Sequence, residues 1–475
     1  MLTENKRETF EDNMIVEFRY DTTRDEFWRW VPIRVRYDKT AEYRRGIKNY
    51  GNAFHVAQSI WQSIHDPITS EMLKTGKDIP DELADDNVYY RRAGATNTRA
   101  LRDFHNLYVK RLLISAVAER GGTLIDLAVG KAGDLPKWIH AHLSFILGID
   151  ISKDNIENRK DGACARYLNY RKRYRSMPAA LFIEGNSSLN VRNGSAAATD
   201  SGRRILRAIL GQGDKDASKL GSAVFKQFGK GKDGFDIVSC QFATHYFFEN
   251  QTILQNFIRN ISENSVIGGY FIGTCYDGKA IFEALENKKM GESMGAAVDE
   301  KKLWEITKKY SSDTFEDNAT SVGYAINVYQ ESINKMFREY LVNFAYFTHL
   351  LEMYGFSLVT PEEARKLGMP NATGLFSELF TYMERQLAEK QIRAPDIGSA
   401  LSMTSKEKRV SFYNRYFIFK KQKHVEANKI LQVMLGNAAT TMEQKQQGVK
   451  KKRKRDRKKP KKISRRINIE TISGD

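Results

Sequence analysis

Between Leu124 and Trp138 the chain reads Leu-Ile-Asp-Leu-Ala-Val-Gly-Lys-Ala-Gly-Asp-Leu-Pro-Lys-Trp, and this stretch restricts the fold more than any other. Leu124 to Leu127 is an apolar run suited to a buried strand. Ala128, Gly130, Ala132 and Gly133 then turn the chain, and Asp134 stands near the start of a helix. Small residues after a strand let a ligand come close to the backbone, and a helix start offers unpaired N–H groups. In an open α/β sheet, ligands bind here, at the carboxyl ends of the strands. Lys131 and Lys137 are unusual in a plain dinucleotide turn and point to a second, anionic ligand nearby.

The flanking sequence alternates in the same way. Apolar periodicity predicts helices over 101–119, 134–142, 153–174 and 253–261, and strands over 123–127, 144–150, 179–184, 235–240 and 268–274. That order predicts an α/β domain with a mostly parallel sheet. Further on, the pattern predicts helices over 279–287, 335–354 and 375–389, and strands near 324–329, 357–360 and 412–419. Residues 189–234 are rich in Gly, Ser, Ala and Lys and read as an insertion, mobile at its ends, with one helix near 203–210. The expected divisions are 1–48, a connector over 49–100, a main domain over 101–421, and a tail over 422–475 that is helical, then basic and disordered. The connector carries helical patterns over 49–65 and 70–77.

The net charge is +18, and thirteen basic residues with one acid between Lys450 and Arg466 hold two thirds of it. Both the tail and the moderately basic remainder favour a polyanionic partner such as RNA, and the tail also suits a nuclear-localisation signal. No run of 18 apolar residues predicts a membrane span, and the first residues lack the apolar core of a secretory signal. Cys164, Cys240 and Cys275 lack metal-ligand spacing, so a reducing, intracellular setting is expected, with no disulfide framework and no metal site.

Asp150, 24 residues after Asp126 at the end of the second strand, is placed to accept hydrogen bonds from a ribose. The glycine pattern Gly130-Lys-Ala-Gly133 is incomplete for a pyrophosphate, which favours a nucleoside ligand without phosphate; S-adenosylmethionine fits that description. At the N-terminus, Met14–Tyr20 alternates like a half-buried strand, and in Trp28–Thr40 the spacing puts Arg34, Arg36 and Asp38 on one face of an extended segment.

Leu101-Arg-Asp-Phe-His-Asn-Leu-Tyr-Val-Lys110, Asp126–Trp138, Gly148-Ile-Asp-Ile-Ser152, Arg166-Tyr167, Phe235-Asp-Ile-Val-Ser-Cys-Gln-Phe-Ala-Thr-His-Tyr246, Gly268–Gly273, Arg338–Phe344 and Tyr416-Phe-Ile-Phe419 resemble, in order, the mRNA cap guanine-N7 methyltransferases. Arg34-Val-Arg-Tyr-Asp-Lys-Thr40 resembles the last motif of covalent nucleotidyltransferases, which lies in the OB domain of guanylyltransferases. No Lys-x-Asp-Gly nucleophile exists, since Lys160-Asp-Gly and Lys232-Asp-Gly lack the spacer. The combination resembles the capping enzymes of large DNA viruses, with an OB-like guanylyltransferase remnant ahead of the methyltransferase.

The resemblance implies a Rossmann-like fold, a mostly parallel seven-stranded sheet with helices on both faces. It implies methyl transfer from S-adenosylmethionine to guanine N7 of a GpppN cap, by in-line displacement without a general base. Lys110, Ala128, Gly130, Asp150, Asn186, Gln241 and Tyr246 would bind the cofactor. His105, Asn106, Lys131, Lys137, Arg166, Phe242, His245, Glu339 and Tyr416 would bind the cap, with His245, Tyr246 and Glu339 positioning the reactants. It also implies capped RNA and a guanylyltransferase or triphosphatase subunit as partners, and a nucleus, cytoplasmic viral factory or virion as the location. The chain departs from the family at Ala128, Val129 and Ala132, which replace small or glycine positions. Asn186 stands where an Asp is usual, Phe104–Lys110 is one residue longer, and the segment from Asp150 to Arg166 is longer too. The readings left as alternatives are a noncatalytic cap- or RNA-binding subunit and a methyltransferase for another RNA.

Overall fold

The computed structural model describes residues 2–4, 8–21, 23–47, 50–51, 98–299, 301–331, 333 and 335–436. The expected helices of the connector, apart from residues 50–51, and the basic run Lys450–Arg466 lie outside them. The chain forms two compact units, Met1–Ala84 and Asp85–Asp475.

In the first unit, β1 (Val16–Tyr20) and β2 (Trp30–Val35) pair antiparallel, with a register shift where Pro32 faces Phe18. Proline has no N–H for the ladder, so an irregularity is expected there. The shared face expected for Arg34, Arg36 and Asp38 does not form. The strand stops at Val35, and Asp38 lies in the first turn of a helix, Tyr37–Arg44, where a carboxylate complements the helix dipole. Arg36 reaches Asp38 at 3.0 Å, while Arg34 pairs with Glu17 at 2.9 Å.

The second unit is built on one large sheet. Its strands are β3 (Thr123–Asp126), β4 (Phe145–Asp150), β5 (Ala179–Glu184), β6 (Phe235–Gln241) and β7 (Ser265–Tyr276). These five run parallel in the order β5-β4-β3-β6-β7. A smaller antiparallel sheet follows, of β8 (Ser293–Val298), β9 (Lys301–Lys308), β10 (Ala325–Gln330) and β11 (Lys335–Tyr340). The chain then returns to the large sheet with β12 (Phe356–Leu358), β13 (Thr373–Leu375) and β14 (Asn414–Lys421). β14 pairs antiparallel with β7, and β12 and β13 both pair with β14. The expected seven-stranded, mostly parallel path is present, with β13 as an eighth strand beside it.

Period-two alternation sorts the strand residues onto two faces. Leu124, Ile146, Ile237, Ile272 and Ile418 belong to one buried cluster, which includes Leu113 and Trp138. Their neighbours Ile125, Leu147, Val238, Phe271 and Phe417 belong to the other, with Phe257 and Phe347. Both faces are therefore covered, as a parallel core requires.

Four further expectations are corrected. The helix predicted over 153–174 breaks into Lys153–Glu157 and Ala163–Arg171. At Gly162, between them, a Cβ would stand 2.6 Å from the Asn158 backbone nitrogen. The segment predicted as helix over 335–354 begins instead as β11, with Phe337 and Glu339 buried and Met336 and Arg338 exposed. The helix starts only at Phe344, behind an Asn343 cap. The polar stretch after residue 287 holds β8 and β9, and on β9 Leu303, Trp304 and Ile306 are buried. Residues 189–234 form part of the core: Val191, Leu206 and Ile209 lie in the same cluster as Phe235, and two helices form, Asp200–Ile209 and Ala217–Phe225. Among the described residues no helix is long and apolar enough to cross a membrane.

Candidate active site

A cavity of about 1100 Å³ opens at the carboxyl ends of β3, β4 and β6, room for more than one small ligand. All the residues expected at the site line it except Tyr416.

The first wall is the turn after β3. Gly130 adopts φ +53° and Ala132 φ +52°, the left-handed region that favours glycine. The Gly130 N–H donates to Asp150 Oδ2 at 2.7 Å. Asp150 Oδ1 accepts from the Ser152 N–H and from Asn155 Nδ2, each at 3.0 Å. The turn and the second strand are thus fastened by one carboxylate. Asp126 is buried beneath them; burial, and then the charge of Asp134, push its carboxyl up to about 7.

The helix before β3 carries Lys110 to the same wall. A π-helical turn, Phe104–Val109, lies between Arg99–Asp103 and Lys110–Val117, in the segment where the resemblance implies one extra residue. Such one-residue expansions let a helix continue while re-aiming its side chains. Lys110 Nζ lies 3.1 Å from Asp134 Oδ2 and Lys137 Nζ 2.8 Å from Asp134 Oδ1. Burial alone would raise the Asp134 carboxyl, but the two ammonium groups hold it well below the usual range. Lys131 pairs with Asp154 at 3.0 Å and Asp161 at 2.9 Å. Both acids come from the segment between Asp150 and Arg166, so that segment partly neutralises a lysine expected at the triphosphate. Asn186 Oδ1 accepts from the Ser188 N–H at 2.9 Å and its hydroxyl at 2.6 Å, and Asn106 Nδ2 donates to the Arg102 carbonyl at 3.0 Å.

The opposite wall is built by the chain leaving β6. Phe242 sits at φ +57°, a costly conformation for a bulky residue. Its N–H donates to the Thr274 carbonyl at 3.0 Å and to Thr274 Oγ1 at 2.9 Å. The ring stacks on His105, centroids 5.0 Å apart, and Lys110 Nζ stands 5.5 Å from its centre. Buried His105 is fixed by Ser411 Oγ at 2.8 Å, and burial, then Lys110, lower its pKa to about 3.

His245 packs edge-on against Tyr246, centroids 4.4 Å apart, and its Nε2 lies 3.5 Å from Glu339 Oε2 on β11. That spacing does not make an ion pair, because burial lowers His245 to about 3 and pushes Glu339 up to about 8. Both groups are neutral at pH 7. Both His245 ring nitrogens, Glu339 Oε2 and Gln241 Nε2 are buried without a hydrogen-bond partner. Buried polar atoms are nearly always paired, so several orphans on one cavity mark the place of a polar ligand.

Tyr416 requires a correction. It is fully buried in the core and does not line the cavity. β14 enters the cavity wall at Asn414, and two residues further on Tyr416, on the same face, pairs with Thr274 and Gly374 inside the sheet. Sequence reasoning missed Asn414, and also Tyr276, at the carboxyl end of β7, whose hydroxyl accepts from Gln330 Nε2 at 2.6 Å. The strand-end rule that singled out Asp150 applies equally to Tyr276.

S-adenosylmethionine, expected from the sequence, fits the first wall. No atom lies within 4 Å of where a Gly130 Cβ would stand, so a ligand has open space beside that backbone. Asp150 lines this space, and Gln241 offers an unpartnered buried amide nitrogen.

Comparison with known proteins identifies the family. The mRNA (guanine-N(7))-methyltransferase domain model matches residues 85–422, and the model of the mRNA capping enzyme C-terminal domain matches residues 2–74. A "Probable mRNA-capping enzyme" of Acanthamoeba polyphaga mimivirus is 30% identical over 70% of this chain and 28% of its own length. The mRNA-capping enzyme of African swine fever virus (strain Badajoz 1971 Vero-adapted) is 23% identical over 73% of this chain and 36% of its own. The mRNA cap guanine-N(7) methyltransferase of Saccharomyces cerevisiae is 25% identical over 70% of this chain and 66% of its own. The chain therefore spans less than two thirds of each of these relatives. The cofactor is S-adenosylmethionine. With a family model covering 85–422 and a Rossmann-like sheet presenting the cavity at its strand ends, the chain belongs to the mRNA (guanine-N(7))-methyltransferase family.

Proposed function

We propose that this chain methylates N7 of the cap guanine in GpppN-RNA. The observation that carries the reading is the meeting, in one cavity, of Gln241, His245 and Glu339, buried side chains with polar atoms left unpaired. Guanine presents its N1–H and 2-amino group side by side, and a carboxylate such as Glu339 accepts from both. Lys131, Lys137 and Arg166 line the same cavity and suit the triphosphate bridge. Asp150 would hold the cofactor ribose and Lys110 its carboxylate. Asn186 would meet adenine through its amide nitrogen, because its oxygen is engaged by Ser188.

When bound, S-adenosylmethionine supplies a sulfonium-activated methyl group, and guanine N7 is already an unprotonated nucleophile at neutral pH. The protein's task is then orientation and charge stabilisation. His245, with its pKa near 3, is a neutral positioning group and not a general base. As guanine becomes cationic on methylation, an ionised Glu339 would stabilise it.

Capped RNA is the proposed partner, together with a guanylyltransferase or triphosphatase activity. The match of residues 2–74 to a capping-enzyme domain and the capping-enzyme relatives support that. The free cysteines support a reducing intracellular location, and the Lys450–Arg466 run suits nuclear import or RNA attraction.

The test is label transfer from S-adenosylmethionine to GpppRNA, ApppRNA and uncapped RNA in parallel. Label confined to GpppRNA is expected; equal label on uncapped RNA, or none on any, overturns the reading.

A further inference from the structure

Thr274 lies on β7 directly opposite Gln241 in the parallel β6–β7 pairing. It is fully buried and does not line the cavity, so it meets neither substrate. Its one hydroxyl nevertheless serves both walls. Oγ1 accepts the Phe242 N–H at 2.9 Å and donates to Gln241 Oε1 at 3.2 Å. A hydroxyl has a single hydrogen to give, and here it goes to the amide oxygen. That fixes which end of the Gln241 amide is left over, and the left-over end is Nε2, the unpartnered atom of a cavity-lining residue. The second bond helps hold Phe242 in its left-handed conformation, with the ring stacked on His105.

We propose that the Thr274 hydroxyl is a positioning group shared by the two halves of the site, orienting the Gln241 amide toward the methyl donor and the Phe242 ring toward the cap. This deepens the methyltransferase reading and rests on it. A valine at 274 keeps the shape of the side chain but leaves Gln241 Oε1 without its donor and Phe242 with only the backbone carbonyl. The amide is then free to turn, and the strained turn loses one of its two tethers. One hydrogen bond of this kind is worth about 1 kcal/mol, or roughly fivefold in affinity.

The experiment uses the full chain. Affinities for S-adenosylhomocysteine and for a GpppG cap analogue are measured by calorimetry in the wild type, Thr274→Val and Thr274→Ser, with thermal unfolding of each. Binding of both ligands by the wild type is what the underlying reading requires; absence of both overturns that reading instead. Thr274→Val is expected to weaken each ligand about fivefold to tenfold, and Thr274→Ser to stay within about twofold of wild type. In a Gln241→Leu background, Thr274→Val should cost nothing further in cofactor affinity while still weakening the cap. If Thr274→Val does not fold, Thr274→Ala against Thr274→Ser asks the same question. The proposal fails if the hydroxyl-free variant binds both ligands as wild type does. It fails equally if Thr274→Ser is as impaired as Thr274→Val, which would assign the effect to the γ-methyl group.

Discussion

Asp150 and Glu339 are both buried carboxylates on the same cavity, and the protein treats them in opposite ways. Asp150 accepts hydrogen bonds from Gly130, Ser152 and Asn155, and in doing so ties a turn to a strand end. Glu339 Oε2 has no hydrogen-bond partner, and its neighbour His245 is 3.5 Å away with both ring nitrogens unpaired. The cofactor wall is therefore held together by its own binding groups. The cap wall carries more groups that only a ligand can satisfy, His245 and Glu339 against the single Gln241 amide nitrogen on the cofactor side, beside an aromatic residue in a strained backbone conformation. Cost of that kind gathers where function needs it. The lesson is that binding residues on one cavity need not bear on stability in the same way.

The largest effects should fall on activity, where the two walls look alike. Glu339→Gln replaces one of the two acceptor oxygens facing the guanine edge with a donor and removes the charge, and is expected to slow methylation by about 10²-fold or more, read by label transfer to GpppRNA. Asp150→Asn should lose a similar amount, appearing mainly as a raised KM for S-adenosylmethionine.

The pH dependence separates the walls. The folded chain keeps the Glu339 proton up to about pH 8, whereas guanine binding needs the ionised form. Cap binding below pH 8 therefore releases a proton, and the cap KM should fall as pH rises from 6 to 8, by at most about tenfold per unit. The KM for S-adenosylmethionine should lack the Glu339 inflection near 8, the titrating group on its side being Asp126 at about 7. His245, already neutral above about pH 3, should add no inflection near 6.5.

Smaller changes sharpen the comparison further. Gly130→Ala places a methyl group in the open space beside the turn at positive φ. It should cost about 1–2 kcal/mol of stability and weaken cofactor binding, with the cap KM little changed. Asp161→Asn removes one of the two acids that neutralise Lys131. Because that pair is partly exposed, the gain should be small, about a twofold lower cap KM with no loss of stability.

Much of this was legible in the chain itself. The apolar runs of β3, β4 and β6, ending in Asp126, Asp150 and Gln241, mark the parallel core and the cofactor wall, because buried parallel strands read as largely apolar segments. The cap wall was legible mainly by resemblance. Met336-Phe-Arg-Glu-Tyr340 fits a helical as well as a strand period, so Glu339 was expected on a helix and stands on β11. Of the small sheet only β10 was expected as a strand; β8 and β9 fall in a stretch that reads as polar, and β11 read as helix. Tyr416 and Asn414 share one face of β14, and only tertiary packing decides which of the two reaches the cavity. The strain at Phe242 and the role of Thr274 have no local sequence signal, since they arise from the pairing of β6 with β7.

The most direct test of the contrast between the walls is urea unfolding of Glu339→Gln and Asp150→Asn beside the wild type at pH 7, without ligands. The unfolded Glu339 releases its proton near 4.5 and the folded one near 8, so the native group destabilises the fold as pH rises through that window. Glu339→Gln should therefore be more stable than wild type by about 1–3 kcal/mol. Asp150→Asn should be less stable by a similar amount, because it disturbs the three donors that fasten the turn. A Glu339→Gln variant destabilised alongside Asp150→Asn would contradict the account.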